Sequence, residues 1–213
     1  MKRIISVIVA VLMMVAGLSA AAFAEAEKPP RDADKAVRTI MLYDCGADLE
    51  TDSAMATFNL LQILRANVSK DKSVRFIVMT GGSNKWQIEG KYLCEADGTP
   101  VEEVSSEYNQ LWEAKGLDAP ESEQPGKMVL LDGNGITGEG DAAVKSEDEL
   151  MSDPETLKAF INYCHDNYPA EKYNLILWDH GGGPTGGFGV DEHDPDDETM
   201  PFEGLIDAFQ IIK

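Results

Sequence analysis

Asp179 and His180 stand where an apolar run, Tyr173 to Trp178, gives way to three glycines, Gly181 to Gly183. An imidazole there suits proton transfer, because its ordinary pKa lies close to neutral pH. Glycines directly after it let the main chain of a ligand come close, and the Gly181 N–H could face a developing oxyanion. A tight turn, with His180 bonded to a backbone carbonyl and Asp179 solvated, accounts for the same residue types. A phosphate cradle fits less well. The stretch lacks the Gly-Lys-Ser/Thr of a P-loop, no helical pattern follows as a dinucleotide turn requires, and acidic residues crowd the sequence after Val190.

Three other groups carry candidate chemistry. Cys45, Cys94 and Cys164 are odd in number and widely spaced, which suits neither a disulfide framework nor a zinc cluster. Cys45 follows an apolar run and is the local candidate for a nucleophile; the competing reading is a small apolar residue closing the core. Asp191, Asp194, Asp196 and Asp197, in the run "DEHDPDDE", could offer carboxylates to calcium, although the ligand order of an EF-hand loop is missing and a solvated acidic loop is the better reading. Asp132, Asn134 and Asp141 invite the same idea more weakly. His165 and His193 read as surface residues.

These residues need elements to hold them. "VRTIMLYDC" reads as a buried strand ending near Tyr43, and "SVRFIVMTGG" as a second. Between them Met55, Phe58, Leu61 and Leu64 recur at helical spacing. "KWQIEGKYLCEADGTPVEEV" suggests a hairpin turning at Asp97-Gly98, and Tyr108 to Glu149 reads as a Gly-rich, acidic connection. Ser152 or Asp153 can cap a helix in which Pro154 sits in the first turn and Leu157, Phe160, Ile161 and Cys164 form an apolar stripe. "YNLILWD" is then a third buried strand, and "PFEGLIDAFQIIK" a last helix with Leu205, Ile206, Phe209 and Ile212 apolar. Strands alternating with helices imply a largely parallel α/β sheet with helices on its faces, whose strand carboxyl ends share one edge. His180 belongs to that edge.

Composition narrows the partners. Lys2 and Arg3, an apolar run and Ala22-Phe23-Ala24 have the grammar of a secretory signal peptide, so residues 1–24 are set aside, 25–36 are a polar spacer and 37–213 form one domain. A formal charge of -20 repels nucleic acid and anionic membranes. It favours basic substrates and divalent cations.

The motif "LILWDHGGGPTGGFGVDE" resembles the histidine motif of the clostripain-like cysteine peptidases of the caspase-like clan. "TIMLYDCGADLET" is similar to that family's first strand and "aDLE" turn, "VRFIVMTGGSNKW" to its second strand, and "DPETLKAFINYCHDNYPAEKYNLILWDH" to the passage into its histidine. The resemblance implies a caspase-like sheet between helices, with His180 as general base and Gly181 in the oxyanion hole. It further implies a secreted bacterial endopeptidase that cuts after Arg or Lys. Members of the family mature into light and heavy chains, and some depend on calcium; no other cofactor is implied.

The resemblance also implies a cysteine after the histidine, roughly 50 residues on in caspases. None stands between Gly181 and Lys213. The expectation is therefore the His-bearing portion of such a peptidase, ending before the nucleophile-bearing strand and inactive alone. Truncation, a light chain awaiting a heavy chain with the cysteine, and a short inactive paralogue are the three accounts of that ending. The alternative function is a non-catalytic secreted module that binds basic peptides or calcium.

Overall fold

The computed structural model describes residues 36–66, 73–116, 126–138 and 142–210. The expected signal peptide and most of the expected spacer, together with Asp141 and Ile212, lie outside the described residues.

The first strand, β1 (Ala36–Cys45), is apolar on both sides because both of its faces are covered. It pairs in parallel with β2 (Val74–Gly81) on one side and β6 (Ala170–Trp178) on the other. Beyond β2 the sheet continues through β4 (Gln110–Lys115), β5 (Lys127–Asp132) and the two-residue β3 (Leu93–Cys94), in the order β3-β5-β4-β2-β1-β6. β4 runs antiparallel to both β2 and β5, while the other pairings are parallel.

β4 and β5 occupy the region that reads as a Gly-rich connection in sequence. Glu113 makes β4 look like a loop, yet it is buried in the strand with Arg75 Nη1 at 3.2 Å and Lys115 Nζ at 3.0 Å. Charges paired within a sheet do not interrupt it. The expected hairpin at Asp97-Gly98 shrinks to one antiparallel bridge, Cys94 to Pro100, because β3 pairs with β5 instead.

Helices cover both faces. On one, Met41, Tyr43, Ile77 and Met79 pack against Leu157, Phe160, Ile161 and Cys164 of α3 (Pro154–Asn167), the anticipated stripe. Asp153 caps α3 by accepting from the Glu155 N–H at 2.8 Å, as its position before Pro154 suggests. Tyr43 reaches across to donate to the Met151 carbonyl at 2.9 Å. On the other face, Leu42 and Val78 meet Ala56, Leu60 and Leu64 of α2 (Met55–Ala66).

Met55 and Phe58 point outward instead, so the buried face of α2 is rotated from the apolar spacing. A polar anchor accounts for the rotation. Glu50, fully buried in the five-residue α1 (Ala47–Thr51), accepts from the Thr57 N–H at 2.8 Å, the Thr57 hydroxyl at 2.6 Å and the Gln87 N–H at 2.7 Å. These bonds to a buried carboxylate turn Thr57 inward and join α1, α2 and the loop after β2.

After β6 a small sheet forms from β7 (Gly181–Gly182), β8 (Gly187–Val190) and β9 (Thr199–Met200), with a single helical turn, α4 (Gly183–Gly186), between the first two. The last helix, α5 (Phe202–Phe209), buries Gly204 and Ala208 and exposes Phe202, Ile206 and Phe209. No helix among the described residues is long and apolar enough to cross a membrane.

Candidate active site

β6 delivers Asp179 and His180 to the carboxyl end of the sheet, where Trp178 still registers with Asp44 of β1. The chain is then lashed to β8 by two bonds. Asp179 Oδ2 accepts from the Val190 N–H at 2.7 Å, and the His180 carbonyl accepts from the Gly189 N–H at 3.2 Å. Asp179 therefore shapes the turn and does not reach the imidazole ring by any hydrogen bond. Burial pushes its carboxyl up from the usual range, and the N–H groups of Val190 and His180 act in the opposite direction. Asp44, buried alongside, is raised well above the usual range by burial and then by Glu50 and Asp179. Among the described residues, Asp44 Oδ1 and Asp179 Oδ1 are buried without a partner.

The His180 ring points the other way, with its side chain 54% exposed. Nε2 lies 3.0 Å from Asp48 Oδ1, in the first turn of α1. A cavity of about 350 Å³ opens here, lined by Ala47, Asp48, His180, Val190, Glu192 and Asp197. Glu192 is fixed at its wall by the Asn84 N–H at 2.8 Å and by the Thr51 hydroxyl.

The glycines differ in what they do. A Cβ on Gly187 (φ 71°) would fall 2.2 Å from the Met200 carbonyl oxygen, so the turn into β8 requires glycine. A Cβ on Gly181 would meet nothing within 4 Å. Packing within the chain gives no reason for glycine at 181, and the space beside it is open.

None of the cysteines offers a thiolate to His180. Cys45 is fully buried and its thiol donates to the Val190 carbonyl at 3.2 Å. Burial, then the nearby carboxylates of Asp179 and Asp191, push that thiol well above its ordinary range. Its place under β8 is that of a small residue tying the sheet to the turn. Cys94 and Cys164 are buried as well, and burial raises the Cys164 thiol.

In the acidic loop, two of the four candidate carboxylates, Asp191 and Asp194, serve protein donors. Asp191 is completely buried, with Oδ2 accepting from the Met151 N–H at 2.6 Å and Oδ1 from the His193 N–H at 2.9 Å. Asp194 folds its own turn, accepting from the N–H groups of Asp196 and Glu198 at 3.0 and 3.1 Å. Asp196 and Asp197 remain exposed. Among the described residues no group of three or more His, Cys, Asp or Glu side chains is placed to hold a metal, and that includes Asp132.

His193 departs from the surface role its sequence suggests. Its side chain is only 16% exposed, and Nδ1 lies 2.8 Å from Asp191 Oδ1. The Asp191 bond raises its pKa, burial opposes this, and the Ser106 backbone adds to the rise. His193 thus fastens the acidic loop to the segment before β4. His165 is exposed, with Nδ1 3.1 Å from Asp166.

Comparison with known proteins follows the same residues. The sequence model of the Clostripain family matches residues 123–193, a span that includes β5, α3, β6 and the His180 turn. Over that span the chain is similar to the Clostripain family. Clostripain from Hathewaya histolytica is 28% identical over 150 residues, covering 70% of this chain and 24% of that protein. The chain therefore spans about a quarter of that relative. Its fold is similar to that of a secreted C11 cysteine protease from Bacteroides thetaiotaomicron, solved with an irreversible peptide inhibitor. That match has a TM-score of 0.50 at 15% identity and covers 81% of this chain and 38% of the other. At such identity the likeness concerns the fold, an α/β sheet between helices of the caspase-like kind.

Asp48 is the site residue that sequence reasoning misses. It stands 132 residues from His180, and an exposed aspartate in a first helical turn looks like an ordinary dipole partner. Its one signal is its place in the "ADLE" turn that ends the first buried strand.

Proposed function

We propose that this chain is the histidine-bearing part of a secreted cysteine endopeptidase cutting after Arg or Lys, with the thiolate supplied by a cysteine outside these residues. The observation that carries the reading is the exposed His180 ring at the carboxyl end of β6, facing an open cavity beside the unobstructed Gly181. His180 takes the proton from the cysteine thiol. The thiolate attacks the scissile carbonyl, the Gly181 N–H helps hold the oxyanion, and the imidazolium returns the proton to the departing amine. Water, deprotonated by His180, then releases the acyl group and regenerates the thiol.

Two features support the finer parts. Asp48, Glu192 and Asp197 line the cavity with His180, and this favours a cationic substrate. β6 is the edge of the six-stranded sheet, with Ile176 exposed, so a cysteine-bearing strand adding there would bring its carboxyl end beside His180. That strand would belong to the continuation of the polypeptide or to a heavy chain.

The test is hydrolysis of Arg- and Lys-containing peptides by this chain together with the cysteine-bearing portion, compared with His180→Ala. The expected loss is at least about 10³-fold; cleavage that survives the substitution refutes the assignment. The burial of all three cysteines favours one other reading, a non-catalytic module that binds basic peptides. Such a module would show affinity for these peptides and no acyl-enzyme.

A further inference from the structure

We infer that Asp48 is a positioning residue that fixes the tautomer of His180, keeping the proton on Nε2 and leaving Nδ1 as the nitrogen that exchanges protons with the thiol. The inference rests on the peptidase reading for its catalytic meaning, but the tautomer itself is a property of this chain.

A carboxylate facing a neutral imidazole accepts only from the nitrogen that carries hydrogen. Asp48 Oδ1 faces Nε2 at 3.0 Å, so Nε2 is the donor and the lone pair lies on Nδ1. The other two histidines are arranged oppositely. His165 and His193 turn Nδ1 toward Asp166 and Asp191, at 3.1 and 2.8 Å. Only His180, among the described residues, presents Nε2 to a carboxylate and keeps Nδ1 out of such a contact.

Both ends of the contact are anchored. Asp48 rises from α1, whose first residue, Ala47, adopts φ 43° and whose Glu50 is tied to Thr57 and Gln87. The Gly46 N–H donates to the Gly81 carbonyl at 2.9 Å, joining the start of α1 to the end of β2. His180 is held through its own carbonyl and through Asp179 to β8. An incidental surface pair has two long, free side chains. Here a short aspartate and an imidazole meet across the ends of β1 and β6, and both line the same cavity. A histidine held by a second group in one tautomer is the arrangement that acyl-transfer catalysis requires of its base.

The deciding experiment is a two-bond proton–nitrogen correlation spectrum of the full chain, labelled with ¹⁵N, at a pH where the imidazoles are neutral. His180 should show the shifts of a protonated Nε2 and a bare Nδ1, whereas His193 shows the reverse. Asp48→Asn keeps an acceptor oxygen and should preserve the pattern. Asp48→Ala should collapse it to the averaged shifts of an imidazole exchanging tautomers, with His193 unmoved. A proton on Nδ1 of His180, or a pattern unchanged in Asp48→Ala, overturns the proposal.

With the cysteine-bearing portion present, Asp48→Ala should lower kcat about 10²-fold; Asp48→Asn, which restores the acceptor oxygen but not the charge, should recover most of kcat, while any rise in KM from the lost carboxylate persists in both variants. Absence of peptidase activity in the unaltered protein would count against the proposed function and leave the tautomer result standing.

Discussion

Two neighbours in sequence, Asp179 and His180, divide the work at the end of β6. Asp179 turns inward and spends its carboxylate on the Val190 N–H, while His180 turns outward to Asp48 and the cavity. That division follows from alternation at a strand end: adjacent side chains leave on opposite sides. Gly181, next in the chain, has open space beside it and is not needed as glycine for packing, and this gives a prediction at the level of one methyl group. Gly181→Ala should leave thermal stability almost unchanged, because the added Cβ meets nothing. It should still cut peptide hydrolysis about 10²-fold by crowding the reacting carbonyl. Calorimetry and kinetics on the same preparation check both halves. The histidine was legible in sequence because Trp178-Asp179-His180 closes an apolar run and glycines follow. Asp48 was not, since nothing local distinguishes a carboxylate that bonds across the fold from one facing water.

At the scale of elements, the strands and helix around the site were legible where their residues carry one message. α3 announces itself through Asp153, Pro154 and its stripe, and β1, β2 and β6 through apolar runs, although β6, expected as a buried strand, is an edge strand with Asn174 and Ile176 exposed. β4 was hidden because buried Glu113 reads as a loop until Arg75 and Lys115 are beside it. The face of α2 was misread because Glu50, outside the helix, sets its rotation through Thr57. The acidic loop after β8 carries a charge-dependent fastening. Because the folded state raises the pKa of His193 through Asp191, the stabilisation is fully present below the unfolded value of about 6.5 and is lost as pH rises through the folded one. His193→Ala should therefore destabilise the protein more at pH 5.5 than at pH 9. Denaturant titrations at the two pH values measure this, and an equal loss at both would show that the imidazole contributes by packing alone.

At the scale of the whole molecule, the sheet arranges the parts of the proposed half-dyad. Parallel strands β1 and β6 bring Asp48 and His180 to one edge from distant parts of the sequence, and all three cysteines are buried, Cys45 at that edge beneath β8. Among the described residues β6 is the outer strand, and the surface near its carboxyl end is acidic around the exposed His180. The central claim is that His180 activates a thiol that is none of these three. Alkylation of the native protein together with its cysteine-bearing portion, followed by mass mapping of the labelled residues, tests this most directly. The account predicts fast labelling of one cysteine outside this chain, slowed at least about tenfold by His180→Ala, with Cys45, Cys94 and Cys164 unlabelled. Fast, His180-dependent labelling of Cys45 would contradict it.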